Sequence, residues 1–145
     1  MGTIVSLNVS TTTGTGKTPV ESIAVRCDHG MEGDAHARNW HRQLSLLALE
    51  SIDKMREKGL ELVPGNFAEN ITTQGLALST LPVGTRLVSG EVELEITQIG
   101  KKCHAKCNIF SQVGDCIMPR EGVFAKVIRE GILHRGAEIA IREAT

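Results

Sequence analysis

Three of the four cysteines, Cys103, Cys107 and Cys116, fall within 14 residues, and the first two sit in a run of cations. In IGKKCHAKCNIF, Lys101, Lys102, His104 and Lys106 flank Cys103 and Cys107. If this segment turns as a helix, thiols four residues apart share a face. Positive charge near a thiol favours the thiolate, which is both the nucleophile and the soft-metal ligand. Three readings follow: inert thiols, a zinc or iron–sulfur site, or a reactive thiol that accepts sulfur as a persulfide. C-x3-C followed by Cys116 departs from the paired C-x2-C of ordinary zinc sites, although His104 supplies a nitrogen for a Cys103, His104, Cys107, Cys116 set. Inert cysteines usually lie among apolar neighbours, so the lysines weigh toward reactivity.

A second constellation lies in EGDAHARNWHRQLSLL, where Asp34, His36, His41 and Arg42 gather after glycines. The plain reading is local capping by Asp or His, with Arg42 paired to an acid. The functional reading is a grip on an anion, because a guanidinium fork matches phosphate. Asp34 and His36 also have the spacing to share one side of an extended strand as metal ligands, but no third ligand stands at diagnostic spacing. TTGTGKT resembles a phosphate-binding loop at Gly16-Lys17-Thr18, yet the required first glycine is Thr11. It reads as a surface loop in which Lys17 meets an anion at most.

These groups need a scaffold. Residues 3–9 and 20–26 alternate and are rich in β-branched side chains, so both are expected to be strands. Asp28 to Arg38 fits neither period and is expected to be a long functional loop. Leu46, Leu49, Ile52 and Met55 recur at helical spacing, with Ser45 as N-cap and Gly59 as the stop, which predicts a helix. Pro64-Gly65 marks a turn before NFAENIT. LVSGEVELEIT predicts a hairpin turning at Ser89-Gly90, with Val92, Leu94 and Ile96 buried and Glu91, Glu93 and Glu95 wet. Residues 100–120 look irregular, after which GVFAKVI and AEIAIRE alternate as strands. The expected fold is mainly β, a single domain over 1–145 with a few short helices, and a closed barrel is favoured because closure removes exposed edges.

The composition narrows the function classes. The net charge is −1, and there are three Phe, one Trp and no Tyr. That leaves neither the cation excess nor the stacking surface for bulk nucleic-acid binding. No run approaches the roughly 18 apolar residues of a membrane span, and MGTIVSLNVS lacks the pattern of a secretion signal, so no membrane association and a cytoplasmic location are expected. Four cysteines in that setting read as thiols or ligands and not as a disulfide framework.

The ordered segments GDAHARNWHRQLSLL, PGNFAENIT, LPVGTRLVSGEVELEITQIGKKCHAKC and REGVFAKV together resemble a MOSC domain, the C-terminal domain of molybdenum-cofactor sulfurases. The resemblance runs from about residue 14 to residue 139 and implies a β-barrel with short helices. It implies a protein that carries sulfur on a cysteine, binds the pterin of the molybdenum cofactor, or both. The family cysteine follows the Gly-Glu-Val-Glu hairpin, which makes it Cys103 or Cys107. The sulfur donor is then a pyridoxal-phosphate cysteine desulfurase on another chain, and the acceptor a molybdoenzyme or the cofactor's biosynthetic machinery. The resemblance places Gly33, Asp34, His36, Arg42, Gln43, Gly65, Glu69 and Asn70 along the cleft near that cysteine, and Lys101, one of the cations flanking the thiols, is a further cofactor-binding candidate. Two other functions stay open: a complete molybdopterin-dependent reductase of N-hydroxylated substrates, and a zinc-holding structural module.

Overall fold

The computed structural model describes residues 2–10, 18–34, 37–40, 42–57, 69–100 and 121–142, without the Met55 side chain. Lys17, His36, His41, Gly59, Gly65 and the stretch 101–120, with Lys101, Lys102, Cys103, His104, Lys106, Cys107 and Cys116, lie outside the described residues. In chain order the elements are β1 (Gly2–Val9), β2 (Thr18–Val20), β3 (Ser22–Arg26), β4 (Gly30–Met31), β5 (Leu44–Ala48), α1 (Leu49–Arg56), β6 (Ile71–Gln74), β7 (Arg86–Ser89), β8 (Val92–Ile99), β9 (Val123–Arg129), β10 (Gly131–His134) and β11 (Glu138–Ile141), with a 3-10 turn at Leu78–Thr80.

Seven strands close a barrel in the order β1, β11, β7, β8, β9, β5, β6 and back to β1. The β5–β6 pair is parallel and the other ladders are antiparallel. Closure satisfies the backbone of both would-be edge strands. Side chains from every stave meet in one apolar cluster: Ile4 and Leu7, Ile139, Leu87, Leu94 and Ile96, Val123 and Ala125, Leu44 and Leu46, and Ile71. Each Leu or Ile buried there contributes about 1.5–3 kcal/mol. A second sheet, β10-β3-β4, adds Val25, Met31 and Leu133 to the same cluster.

The expected β-barrel is therefore found, but several local expectations change. Ile4 and Leu7 both reach the core although they are three apart, which strict alternation forbids. The register against β6 slips between Ile4 and Ser6, so Val5 is an extra residue that turns the following side chains inward. Residues 20–26 are not one strand: they break at Glu21 into β2, paired with β1, and β3, in the second sheet. The loop at 28–38 contains β4, and β10 is a strand that alternation had not singled out.

The helix begins at Leu49 and not at Leu46, so Ser45 is not its N-cap. Ser45 and Leu46 lie in β5, all five residues of which are buried. A strand paired on both edges and covered on both faces reads as a continuous apolar run, which mimics helical spacing. Ladders to β6 and β9 outweigh that propensity. Ile52 of α1 and Leu47 of β5 are fully buried outside the barrel cluster, where the helix lies against β5. The predicted hairpin is present, but Ser89 pairs with Val92, so its turn is Gly90-Glu91. Glu93 is not on a wet face. It is 3% exposed, because Arg86 and Arg142 hold its two carboxylate oxygens at 2.6 and 2.7 Å.

Candidate functional site

Between β3 and the start of β5 the chain stays close to β8 and β9, leaving an open cleft of about 420 Å³. Cys27, Asp28, Asn39, Trp40, Gln43 and Lys126 line it, with further wall from β8 and β9. Asp28 takes a left-handed backbone (φ 59°), which Asp tolerates better than most residues. The neighbouring Cys27 thiol donates to the Ile128 carbonyl at 3.3 Å, tying the β3 turn to β9. Lys126 lies 3.5 Å from Glu95, whose other carboxylate oxygen takes Arg86 at 3.0 Å.

The residues the resemblance implied divide into two groups. Asp34, Gln43, Glu69 and Asn70 are all buried and bonded into the scaffold. The Ser10 amide donates to Asp34 Oδ1 at 3.1 Å, and the Val127 amide donates to Gln43 Oε1 at 2.8 Å. Asn70 accepts the Ser45 amide on Oδ1 at 2.9 Å and donates from Nδ2 to the Asn8 carbonyl at 3.2 Å. Thr72 donates to Glu69 Oε2 at 2.8 Å, extending the polar seam between β1 and β6. Gly33 has φ +78° and open space where a Cβ would stand, so backbone conformation and not close approach is its reason for being glycine. Gly30 is the reverse: a Cβ there would meet the Gln43 carbonyl at 2.6 Å, so this glycine lets β4 approach the residue that supports the cleft.

Arg42 behaves differently. Its guanidinium stands 4.6 Å from the Trp40 ring centroid and 5.4 Å from that of Phe124. Its Nε is buried without a hydrogen-bond partner. The exposed Arg38 guanidinium stands 3.8 Å from the same indole. Neither arginine has an ion-pair partner among the described residues. Two guanidiniums drawn to one ring repel one another, a repulsion that an anion joining them would relieve. The expected pairing of Arg42 with an acid is absent among those residues.

Arg38, Trp40, Cys27 and Lys126 were missed by reading the sequence. The grouping of Arg38, Trp40 and Arg42 by residue type was a usable signal, although the backbone there bends, with the Trp40 amide donating to the Arg38 carbonyl at 2.9 Å. Cys27 and Lys126 carry no such mark, because they meet only through the β3–β9 approach. Among the described residues no group of three or more His, Cys, Asp or Glu could hold a metal ion, and the Cys103, His104, Cys107, Cys116 set lies outside them. No helix among them is long and apolar enough to cross a membrane.

The YuaD protein from Bacillus subtilis superimposes with a TM-score of 0.80 at 18% identity, over 96% of this chain and 94% of that one. YiiM from Geobacillus stearothermophilus gives 0.72 at 23% identity over 99% and 76%, and YiiM from Escherichia coli gives 0.71 at 21% over 100% and 71%. At such identities the likeness is one of fold. No curated protein matches the chain by sequence. The MOSC domain profile matches residues 32–140, which takes in Arg38, Trp40 and Arg42, the barrel strands β5 to β9, β10 of the second sheet and most of β11. With three quarters of its length matched and the same barrel in its structural neighbours, the chain belongs to the MOSC domain family.

Proposed function

We propose that the protein binds the phosphorylated pterin of the molybdenum cofactor in this cleft and carries sulfur on Cys103 or Cys107 for a molybdenum or metal–sulfur centre. The observation that carries the binding half is the convergence of Arg38 and Arg42 on Trp40 without a carboxylate partner among the described residues. The family is associated with molybdenum-cofactor biology in general, and the residues present suit the group. Arg42, with its unsatisfied buried Nε, and Arg38 hold the phosphate, and Lys126 adds charge along the wall. When bound, the cofactor supplies a redox-active molybdenum. Asp34, Gln43, Glu69 and Asn70 serve the site by holding its walls.

Arg42→Ala should weaken binding of a pterin bearing a phosphate monoester by about 10–100-fold, the range of a lost charge-assisted hydrogen bond, with the unfolding midpoint little changed. Arg42→Lys should recover part, because an ammonium cannot form the bidentate fork. Calorimetric titration reads this directly, and equal affinity in parent, Ala and Lys proteins would refute the assignment.

The sulfur half has its own test. The family cysteine's thiolate attacks the sulfane sulfur of a desulfurase persulfide, one S–S bond forms as another breaks, and the desulfurase thiolate leaves. After incubation with a cysteine desulfurase, pyridoxal phosphate and cysteine, intact mass should show one added sulfur, absent from the Cys103→Ser, Cys107→Ser double variant. Loading of that variant to the parent level would remove the carrier role and leave binding standing.

A further inference from the structure

We propose that Trp40 is a stacking platform for a planar heterocycle and that Arg38 is its displaceable cover. This rests on the anion reading of the cleft and adds to it the part of the ligand that is not phosphate. Trp40 is half-buried and lines the cleft, whereas Arg38 is exposed and reaches the indole at 3.8 Å. Arg42 is held more firmly, half-buried between the rings of Trp40 and Phe124. An exposed guanidinium on an indole is worth a factor of only about 2–5. A flat heterocycle on the same ring is worth about 5–100-fold, so it outcompetes Arg38 while Arg42 keeps its place. Displaced from the ring face, Arg38 stays within reach of the ligand's phosphate. A ring anchored by stacking and a phosphate anchored by Arg42 make the cleft selective for molecules that carry both.

The chain has one tryptophan and no tyrosine, so indole emission reports this platform alone. Inorganic phosphate, a pterin bearing a phosphate monoester and adenosine monophosphate are titrated calorimetrically into the full chain, Trp40→Phe, Trp40→Leu, Arg38→Ala and Arg42→Ala. The parent should bind the phosphorylated pterin about 5–100-fold tighter than phosphate. Trp40→Leu should bind the two alike, Trp40→Phe should keep part of the difference, and Arg38→Ala should keep all of it. Adenosine monophosphate absorbs too far into the ultraviolet to accept indole emission by energy transfer, so quenching by it reports ring contact. If it matches the pterin, the platform reads flatness in general, which also supports the proposal. Should Trp40→Phe and Trp40→Leu both retain the parent's preference for the phosphorylated pterin over phosphate, the stacking role is refuted while the anion site stands. If Arg42→Ala binds phosphate as the parent does, it is the anion reading that falls.

Discussion

Asn70→Ala should lower the unfolding free energy by about 2–6 kcal/mol, because it leaves two buried backbone groups without their partner at about 1–3 kcal/mol each. Those groups are the Ser45 amide and the Asn8 carbonyl, bonded to the Asn70 side chain at 2.9 and 3.2 Å. The residue is fully buried, and its own backbone continues the seam through the Asn8 amide at 2.7 Å and the Ser45 carbonyl at 3.0 Å. It thus joins β1 to β5 at the start of β6, where the barrel's one parallel pair begins. Asn70→Asp should be no milder: a carboxylate cannot donate to the Asn8 carbonyl, and it brings a charge into a fully buried site. Urea unfolding reads the effect as a midpoint drop on the order of 1–3 M at a slope of about 2 kcal/mol/M. A parent-like midpoint together with lost binding of the phosphorylated pterin would instead make Asn70 a ligand-holding residue.

The same logic separates the site residues that the resemblance grouped together. Gln43 spends its side-chain carbonyl on the Val127 amide, and so fixes the β9 wall immediately beside Lys126. Asp34 caps the end of β1 through Ser10. Arg42 alone of the described members turns a buried donor toward no protein acceptor. Substitutions at the first two should therefore act through the fold, and those at Arg42 through the ligand.

The barrel was legible because β8 and β9 keep a two-residue period in their core residues: Val92, Leu94 and Ile96 in β8 and Val123, Ala125 and Val127 in β9 all enter the core. β5 was misread for the opposite reason. Burial on both faces erased its period, and Leu46 to Ile52 then imitated a helical stripe. Glu93 was assigned to water because alternation says which face a residue is on, not what waits there. Arg142 meets it from 49 residues away, a contact no local pattern carries. The cleft was partly legible for a similar reason. Arg42 stood out by type, but the role of Trp40 depends on two cations reaching its ring, and Lys126 meets Cys27 in the cleft through the approach of β3 to β9.

Glu93 gives the strongest expected dependence on pH. Burial, the largest influence, pushes its carboxyl up, yet the hydrogen bonds from Arg86 and Arg142 and their charges outweigh it and hold the group below the ordinary glutamate range. The Arg86 guanidinium is raised in turn, first by its bond to Glu93. A folded-state value below the unfolded one means that this carboxylate stabilises the fold fully above the unfolded value of about 4.3, and that the contribution is lost as pH falls through the folded value. Arg86→Ala leaves the 3%-exposed carboxylate with Arg142 alone. Removing a partner from a fully buried pair costs about 3–5 kcal/mol, and with one cation remaining and Arg86 itself about a third exposed, about 2–3 kcal/mol is expected at pH 7. At pH 3 the gap between parent and variant should narrow, since protonated Glu93 needs its cations less. Glu93→Gln should flatten the parent's loss of stability between pH 5 and pH 3, as a neutral amide has no proton to take up. Urea unfolding at pH 7, 5, 4 and 3 checks all three proteins without the ionic screening of a guanidinium salt. A parent-to-Arg86→Ala gap that stays constant across that range would mean the clamp acts through packing of the arginine stem along β7 and not through charge.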